Sequence, residues 1–400
     1  MSGEEGIVIV GGGPAGLSAA RSYREAGGGE PVRILCAERH RPYMRPPLTK
    51  EFLRGEGSVE DLPLEDSGWY KENEVEVSLG SEVIALDRGL RRVRLPGGEE
   101  VGYSRCVLAT GARPALPPVP GADGPGVRVM RRIEDAERLR EDFARGGRRF
   151  VVIGSGFIGC EAAASLAMLG CEVVMVTMEE APQLERLGGD VSREISLWLS
   201  DLGIELHTGA EVREIRSSGG GPSGGRCEVT VRDGSGRENV IRGNSVVLGA
   251  GMLPNVDLAG SAGLSVDGGV VCDASMQTSD GRIFAAGDVA FAMNAAAGRG
   301  LRVEHWGDAL GQGRVCGERL AGREAVWEAV PGFWSTIGER TIKYAAWGDG
   351  WDEAHFEGAS DGFTVWYGRE GRCVGVLTHG CDEDYRRGGE LVGAGAGLAG

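Results

Sequence analysis

Apolar residues occur along this chain in short blocks, and two of those blocks open in the same way. Ile7–Val10 is a continuous apolar run that stops at Gly-Gly-Gly-Pro-Ala-Gly-Leu, residues 11–17. A helix-like stretch follows to about Ala26, then a second strand-like run, Val32–Ala37, apolar except for Arg33, which ends at Glu38. Short unbroken apolar runs suit strands covered on both faces, and strand, glycine turn, helix, strand is the βαβ unit of a parallel sheet. The order recurs 143 residues further on. There Arg149–Ile153 runs into Gly-Ser-Gly-Phe-Ile-Gly (154–159), a helix-like stretch reaches about Leu169, and the strand Glu172–Met178 leads to Glu179.

Between the copies, residues 111–121 hold four prolines and predict a stiff connector between domains. Ser217–Gly225 predicts a flexible hairpin tip joining the alternating strands Glu211–Arg216 and Cys227–Arg232. Residues 305–319 read as a helix. From about Ala325 the pattern becomes strand-like, and Thr341–Trp347, Gly362–Tyr367 and Val374–Leu377 predict a small antiparallel sheet. The last eight residues, 393–400, are expected to be disordered.

Composition narrows the classes. At 400 residues the chain is long enough for two or three domains. A net charge of −16 opposes a phosphate-neutralising surface, so no nucleic-acid partner is expected. No apolar run approaches the ~18 residues of a membrane span. The opening MSGEEG lacks the basic and apolar regions of a signal peptide. Nine Cys without a C-x-x-C pair read as reduced thiols, and no Cys/His cluster has metal-ligand spacing. The expectation is a cytoplasmic protein with no membrane partner, no metal and no disulfide framework.

Gly11, Gly13 and Gly16 match G-x-G-x-x-G: one glycine for the turn, one for close approach of a pyrophosphate, one for helix packing. Free N–H groups and the positive end of the helix dipole then hold the anion. Glu38, 22 residues after Gly16, ends the next strand, where an acid accepts hydrogen bonds from ribose hydroxyls. Gly154, Gly156 and Gly159 repeat the motif, with Glu179 following 20 residues later. Glu179 would repel a 2′-phosphate and has no adjacent Arg, which favours NADH over NADPH; Arg186 is the nearest cation. Two dinucleotide sites imply two dinucleotides, ordinarily FAD and NAD. Since both strands end in Glu, these residues alone leave open which site holds which.

Further ordered motifs carry a resemblance. They are Arg45-Pro-Pro-Leu-Thr-Lys50, Ala109-Thr-Gly111, Glu161 after the second turn, Gly249-Ala-Gly251 with Pro254-Asn255, Ile283–Asp288, Arg302-Val-Glu-His-Trp306 and Phe333-Trp334. Over nearly its whole length the chain resembles the FAD-dependent, NAD(P)H-using ferredoxin reductases that serve Rieske oxygenases and bacterial P450 systems, and their relative apoptosis-inducing factor. The resemblance implies an α/β fold of two Rossmann-like, three-layer, glutathione-reductase-like domains plus a small C-terminal α/β domain. Residues 1–112 and 246–322 would bind FAD, 113–245 would bind NAD, and 323–392 would form the third domain.

It also implies roles. FAD would be held by Gly11, Gly13, Pro14, Ala15, Gly16, Glu38, Arg45, Lys50, Asp288, His305 and Trp306. NAD would be held by Gly154, Gly156, Phe157, Ile158, Gly159, Glu161 and Glu179; Thr110, Gly111, Arg113, Gly249, Gly251, Gly287, Glu304 and Trp334 would be further cofactor-binding positions. Lys50 would stabilise negative charge on reduced flavin and pair with Glu161, and Trp334 would border the flavin where an electron carrier docks. Lys343 and Arg302 match basic docking positions. The implied activity takes hydride from NADH and passes single electrons to a carrier such as a ferredoxin, in a monomer or homodimer.

Cysteine-pair chemistry is not expected, because Pro42–Lys50 contains no Cys. Two departures concern the partner. Leu377–Tyr385 replaces a Val-Asn-Arg-Pro-like run, and a −16 chain repels acidic ferredoxins at long range unless a patch such as Arg39, Arg41 and Arg45 is exposed. Rubredoxin-like and flavodoxin-like carriers, or oxygen, stay open. So does a slow NADH-sensing flavoprotein or assembly factor like apoptosis-inducing factor, towards which Arg302-Val-Glu-His points.

Overall fold

The computed structural model describes residues 5–221 and 224–398. Strand β1 (Gly6–Val10) is buried at every position and enters helix α1 (Pro14–Glu25) through the first glycine turn. Strand β2 (Val32–Leu35) pairs parallel with β1, Ile7 opposite Val32 and Val10 opposite Leu35. Glu100–Leu108 lies parallel on the other side of β1, and Ile283–Ala285 joins parallel to it. A segment far along the chain therefore completes the seven-stranded first sheet.

The second sheet has five strands, all parallel. Strand β3 (Arg149–Ile153), helix α2 (Phe157–Met168) and strand β4 (Glu172–Val176) form the repeated unit. Glu205–His207 pairs outside β4, while Ser245–Leu248 and Val127–Val129 complete the other edge. Ser245–Leu248 thus extends this sheet past the boundary expected at residue 245. A three-stranded antiparallel sheet (Glu211–Gly221, Gly224–Arg232, Glu238–Gly243) shares a core with its strands: Val212, Val229 and Ile241 bury against Val151, Val174 and Val246. The expected loop at 217–225 is largely strand, with residues 222–223 outside the described chain. Ala112–Pro114 pairs antiparallel with Met252–Pro254, so the proline-rich connector and the return segment cross side by side.

Helix α3 (Trp306–Leu320) packs on α1. Their closeness depends on Gly313 and Gly317, where a Cβ would lie 2.3 Å from Ala15 O and 2.4 Å from Ala19 O. The C-terminal sheet has five antiparallel strands. Strand β5 (Gly332–Ile337) forms its edge against β6 (Arg340–Ala346), followed by Arg372–His379, Gly362–Arg369 and Glu353–Ala359.

The ending of the chain differs from the sequence expectation. Asp382–Gly393 is a helix, α4, with Asp382, Glu383 and Asp384 in its first turn, where carboxylates suit the helix dipole. Residues 394–398 are ordered against the sheet: Cys373 N–H donates to Ala396 O at 2.9 Å and Leu398 N–H to Gly371 O at 3.1 Å. The expectation of disorder from 393 therefore fails over 393–398. Alternation marked the strands, but the Gly-rich ending hid backbone pairing, which needs no side chain.

Candidate active site

At the first turn Gly11 has φ +120°, and a Cβ there would meet Ala109 O at 2.1 Å. A Cβ on Gly16 would meet Gly11 O at 2.2 Å, whereas Gly13 has nothing within 4 Å. Strand, turn and helix are thus in close backbone contact, and the α1 N-terminus, without a side-chain cap, faces open space. That space is a cavity of about 930 Å³ lined by Gly11, Gly13, Pro14, Ala15, Glu38 and Arg45. Thr110, Gly111 and Arg113 line it from the crossing, Gly287, Asp288 and Glu304 from the segment before α3, and Trp306 from its first turn. Ile158 and Glu161 reach it from α2. Gly16 and Lys50 are not among its lining residues. A long cleft with uncapped helix amides at one end and an acid at the adjoining strand end fits a dinucleotide.

Glu38 accepts hydrogen bonds from Arg45 Nη2 and Tyr43 OH, each at 2.6 Å. Burial acts to raise the Glu38 carboxyl, but the Arg45 charge and hydrogen bond, with Tyr43 helping, hold it below its ordinary value. Arg45 is consequently turned inward, and of the basic patch at 39–45 Arg39 and Arg41 are the exposed members. Asp288, another lining residue, pairs with Arg131 Nη2 at 2.8 Å, and the Arg131 carbonyl accepts from Arg45 Nη1 at 2.8 Å. Glu304 lies above its ordinary value because burial outweighs the opposing Arg302 charge. Asn255 Nδ2 donates to Thr110 O at 2.8 Å and Arg113 Nη1 to Asn255 Oδ1 at 3.0 Å, tying the crossing segments together.

Lys50 Nζ lies 2.6 Å from Glu161 Oε2, with both side chains largely buried. Thr49 Oγ1 donates to the same oxygen at 2.6 Å. The other oxygen, Oε1, accepts from Ser335 Oγ at 2.8 Å and the Thr336 amide at 3.2 Å. Glu161 therefore joins the segment after the first βαβ unit, helix α2 and edge strand β5.

The second turn repeats the geometry. Gly154 has φ +99°, with a notional Cβ 2.4 Å from Gly249 O, and Gly159 packs equally close on Gly154 O. A Cβ on Gly156 would meet only Gly249 O, at 3.6 Å, and Gly251 faces open space. Glu179 is half-buried and accepts from the Glu185 amide at 3.3 Å. Arg186 lies over the Phe157 ring, 5.9 Å from its centroid. The Phe157 and Phe333 rings meet tilted at 52°, centroids 4.6 Å apart, and Phe333 meets His305 likewise at 4.9 Å. All of these, with Trp334, stand outside the 930 Å³ cavity.

Trp334 is 44% exposed on β5, directly opposite Lys343 on β6. Lys343 is not a free cation: its Nζ lies 2.7 Å from Asp382 on α4. Arg302 is 3.6 Å from Glu304. Sequence reasoning missed Tyr43, Thr49, Arg131, Ser335 and Thr336. Tyr43 and Thr49 lie within or beside a recognised run, whereas nothing in the pattern marks Arg131.

Two glycine turns, a cleft reaching from one βαβ unit to the helix of the other, and a buried Lys–Glu pair between them define a two-dinucleotide α/β oxidoreductase. The chain belongs to the pyridine nucleotide-disulphide oxidoreductase family, whose model matches residues 5–313. Rhodocoxin reductase of Rhodococcus erythropolis is 34% identical over 356 residues, 89% of this chain and 81% of that protein. The ferredoxin--NAD(+) reductase component of the anthranilate 1,2-dioxygenase system of Burkholderia cepacia is 34% identical over 394 residues, 98% of this chain and 94% of the other. The ferredoxin reductase for the CYP199A2 system from Rhodopseudomonas palustris superposes with TM-score 0.92 at 29% identity, covering 99% of this chain and 96% of that one. Putidaredoxin reductase in its covalent complex with putidaredoxin gives 0.89 at 30%, covering 98% and 94%.

The protein is an oxidoreductase of the ferredoxin-reductase kind, and its family implies FAD and NAD(H). The disulphide of the family name has no counterpart in the cavity. All nine Cys are free, and of the cavity's lining residues only Cys36 is a cysteine. Burial, then Glu38, pushes its thiol up to about 12, so it is protonated at neutral pH and a poor nucleophile.

Proposed function

We propose that the chain uses FAD to take hydride from NADH and delivers electrons singly to a small carrier protein, a ferredoxin or a rubredoxin-like protein. The observation that carries the reading is Glu161. One buried carboxylate ties Lys50 beside the cavity, the helix of the second glycine turn and the strand that exposes Trp334. FAD, when bound, accepts a hydride and releases electrons one at a time.

The chain's residues supply the rest. Amides at the start of α1 hold a pyrophosphate, and Glu38, kept ionised by Arg45, accepts ribose hydroxyls. Lys50 provides positive charge where negative charge develops on reduction. Asp288 and the first turn of α3 complete the flavin site, with Glu304, His305 and Trp306 along it. The amides of Phe157, Ile158 and Gly159 hold the pyrophosphate of NADH. Glu179 accepts its adenosine ribose hydroxyls and repels a 2′-phosphate, while the nearest cation in sequence, Arg186, lies over the Phe157 ring. NADH is therefore the expected donor. The first sheet with α1 and α3 forms the FAD domain, the second sheet the NAD domain, and residues from about 323 the third.

Trp334 is the exit towards the carrier. The exposed cations expected beside it are compensated, Lys343 by Asp382 and Arg302 by Glu304. The NADH-sensing alternative has less support, since the relatives named above are reductases. Among the described residues no helix is long and apolar enough to cross a membrane. A cytoplasmic monomer or homodimer is part of the proposal. Release of the bound nucleotide by denaturation, with parallel NADH and NADPH titrations, tests the reading. FAD and a clear NADH preference support it; a different nucleotide overturns it.

A further inference from the structure

Glu161 carries more hydrogen bonds than an ion pair with Lys50 requires. Thr49 and Lys50 occupy Oε2, and Ser335 and the Thr336 amide occupy Oε1. Ser335 is completely buried, and Glu161 is 7% exposed. A carboxylate held through one oxygen can still swing about its terminal torsion, which is broad and soft. Held through both oxygens from opposite sides, it has one orientation. Lys50 depends on that orientation, because its other acceptors are the Pro46 carbonyl at 2.9 Å and a long contact to Thr49.

We infer that Ser335 is a positioning residue for flavin reduction: its hydroxyl fixes Glu161, and through Glu161 it fixes the Lys50 ammonium. The inference rests on the proposed function above. Its source is the C-terminal sheet rather than either glycine-turn unit. Strand alternation puts Ser335 on the inner face of β5 and Trp334 on the outer. One strand therefore presents a tryptophan to solvent and, with the next side chain, sets the charge pair inside. Without the Ser335 hydroxyl, Lys50 is less firmly placed, and the Glu161 charge is less compensated. Both effects disfavour added negative charge on the flavin.

The test is Ser335→Ala, which removes one oxygen and little volume, with Ser335→Thr as the hydroxyl-retaining control. Flavin content, NADH affinity, the limiting rate of flavin reduction and the flavin midpoint potential are measured on each. The expected result for the Ala variant is unchanged flavin content and NADH affinity, reduction slowed about tenfold, and a lowered potential. The Thr variant is expected near the original on all four. An Ala variant with the original rate and potential overturns the inference. Ala and Thr variants slowed alike, at an unchanged potential, assign the loss to packing and overturn it too. If the unmutated protein holds FAD but NADH does not reduce it, the proposed function itself falls, and the inference with it.

Discussion

Lys50 and Glu161, 111 residues apart in sequence, meet at 2.6 Å with little exposure to water. Removing one partner of such a pair leaves a buried uncompensated charge, at a cost of about 3–5 kcal/mol; replacing both by apolar groups is often near neutral. Lys50→Met is therefore expected to lower unfolding stability by about 3 kcal/mol, and Lys50→Met with Glu161→Leu to recover most of it. Flavin reduction by NADH should stay slow in both variants, because the ammonium is gone. Recovery of the rate along with stability would show that the pair serves packing alone.

The Arg45–Glu38 contact predicts a pH dependence. Arg45 holds the folded Glu38 carboxyl below its unfolded value, so the folded state binds fewer protons than the unfolded state as pH falls through the carboxylate range. The resulting stability is present above about pH 5, around the ordinary Glu value, and is lost on acidification. Arg45→Met should flatten the acid limb of the stability curve of the flavin-free protein. Parallel curves for the two proteins, from denaturant melts at several pH values, would contradict the assignment.

Glu179 is expected to set the nucleotide preference. Glu179→Ala removes a charged acceptor, worth about 1.5–3 kcal/mol, and should weaken NADH binding roughly tenfold or more. NADPH should gain relative to NADH once the repelling charge is gone. Steady-state kinetics with both nucleotides check this; an unchanged ratio would move the ribose site elsewhere.

At the proposed exit, Trp334→Ala should slow carrier reduction while leaving NADH-driven flavin reduction intact. Asp382→Asn frees the Lys343 charge on the same surface. The pair is substantially exposed, so stability should change by less than about 0.5 kcal/mol. The KM for an acidic carrier should fall, and the effect should fade with salt. A salt-independent or absent change would place docking elsewhere.

Much of this was readable in the sequence, because periodicity and glycine spacing are local. Ile7–Val10 and Arg149–Ile153 announce buried strands, and Gly11 and Gly154 announce turns that side chains could not make. The partners of those residues were less readable. Arg131 reaches Asp288, and Ser335 reaches Glu161, across separations that no periodicity encodes. Lys343 reads as a docking cation until α4 brings Asp382 beside it. That helix was missed because Asp382–Gly393 is glycine-rich and polar, and a stable helix there depends on packing against the sheet.

The most direct measurement is anaerobic stopped-flow absorbance. The purified, flavin-loaded protein is mixed with NADH, then with an oxidised small iron–sulfur carrier. Rapid bleaching of the flavin band by NADH is expected, followed by rapid recovery as the carrier is reduced. Slow bleaching, with a persistent long-wavelength charge-transfer band that the carrier does not discharge, would contradict the proposed function and support NADH sensing instead.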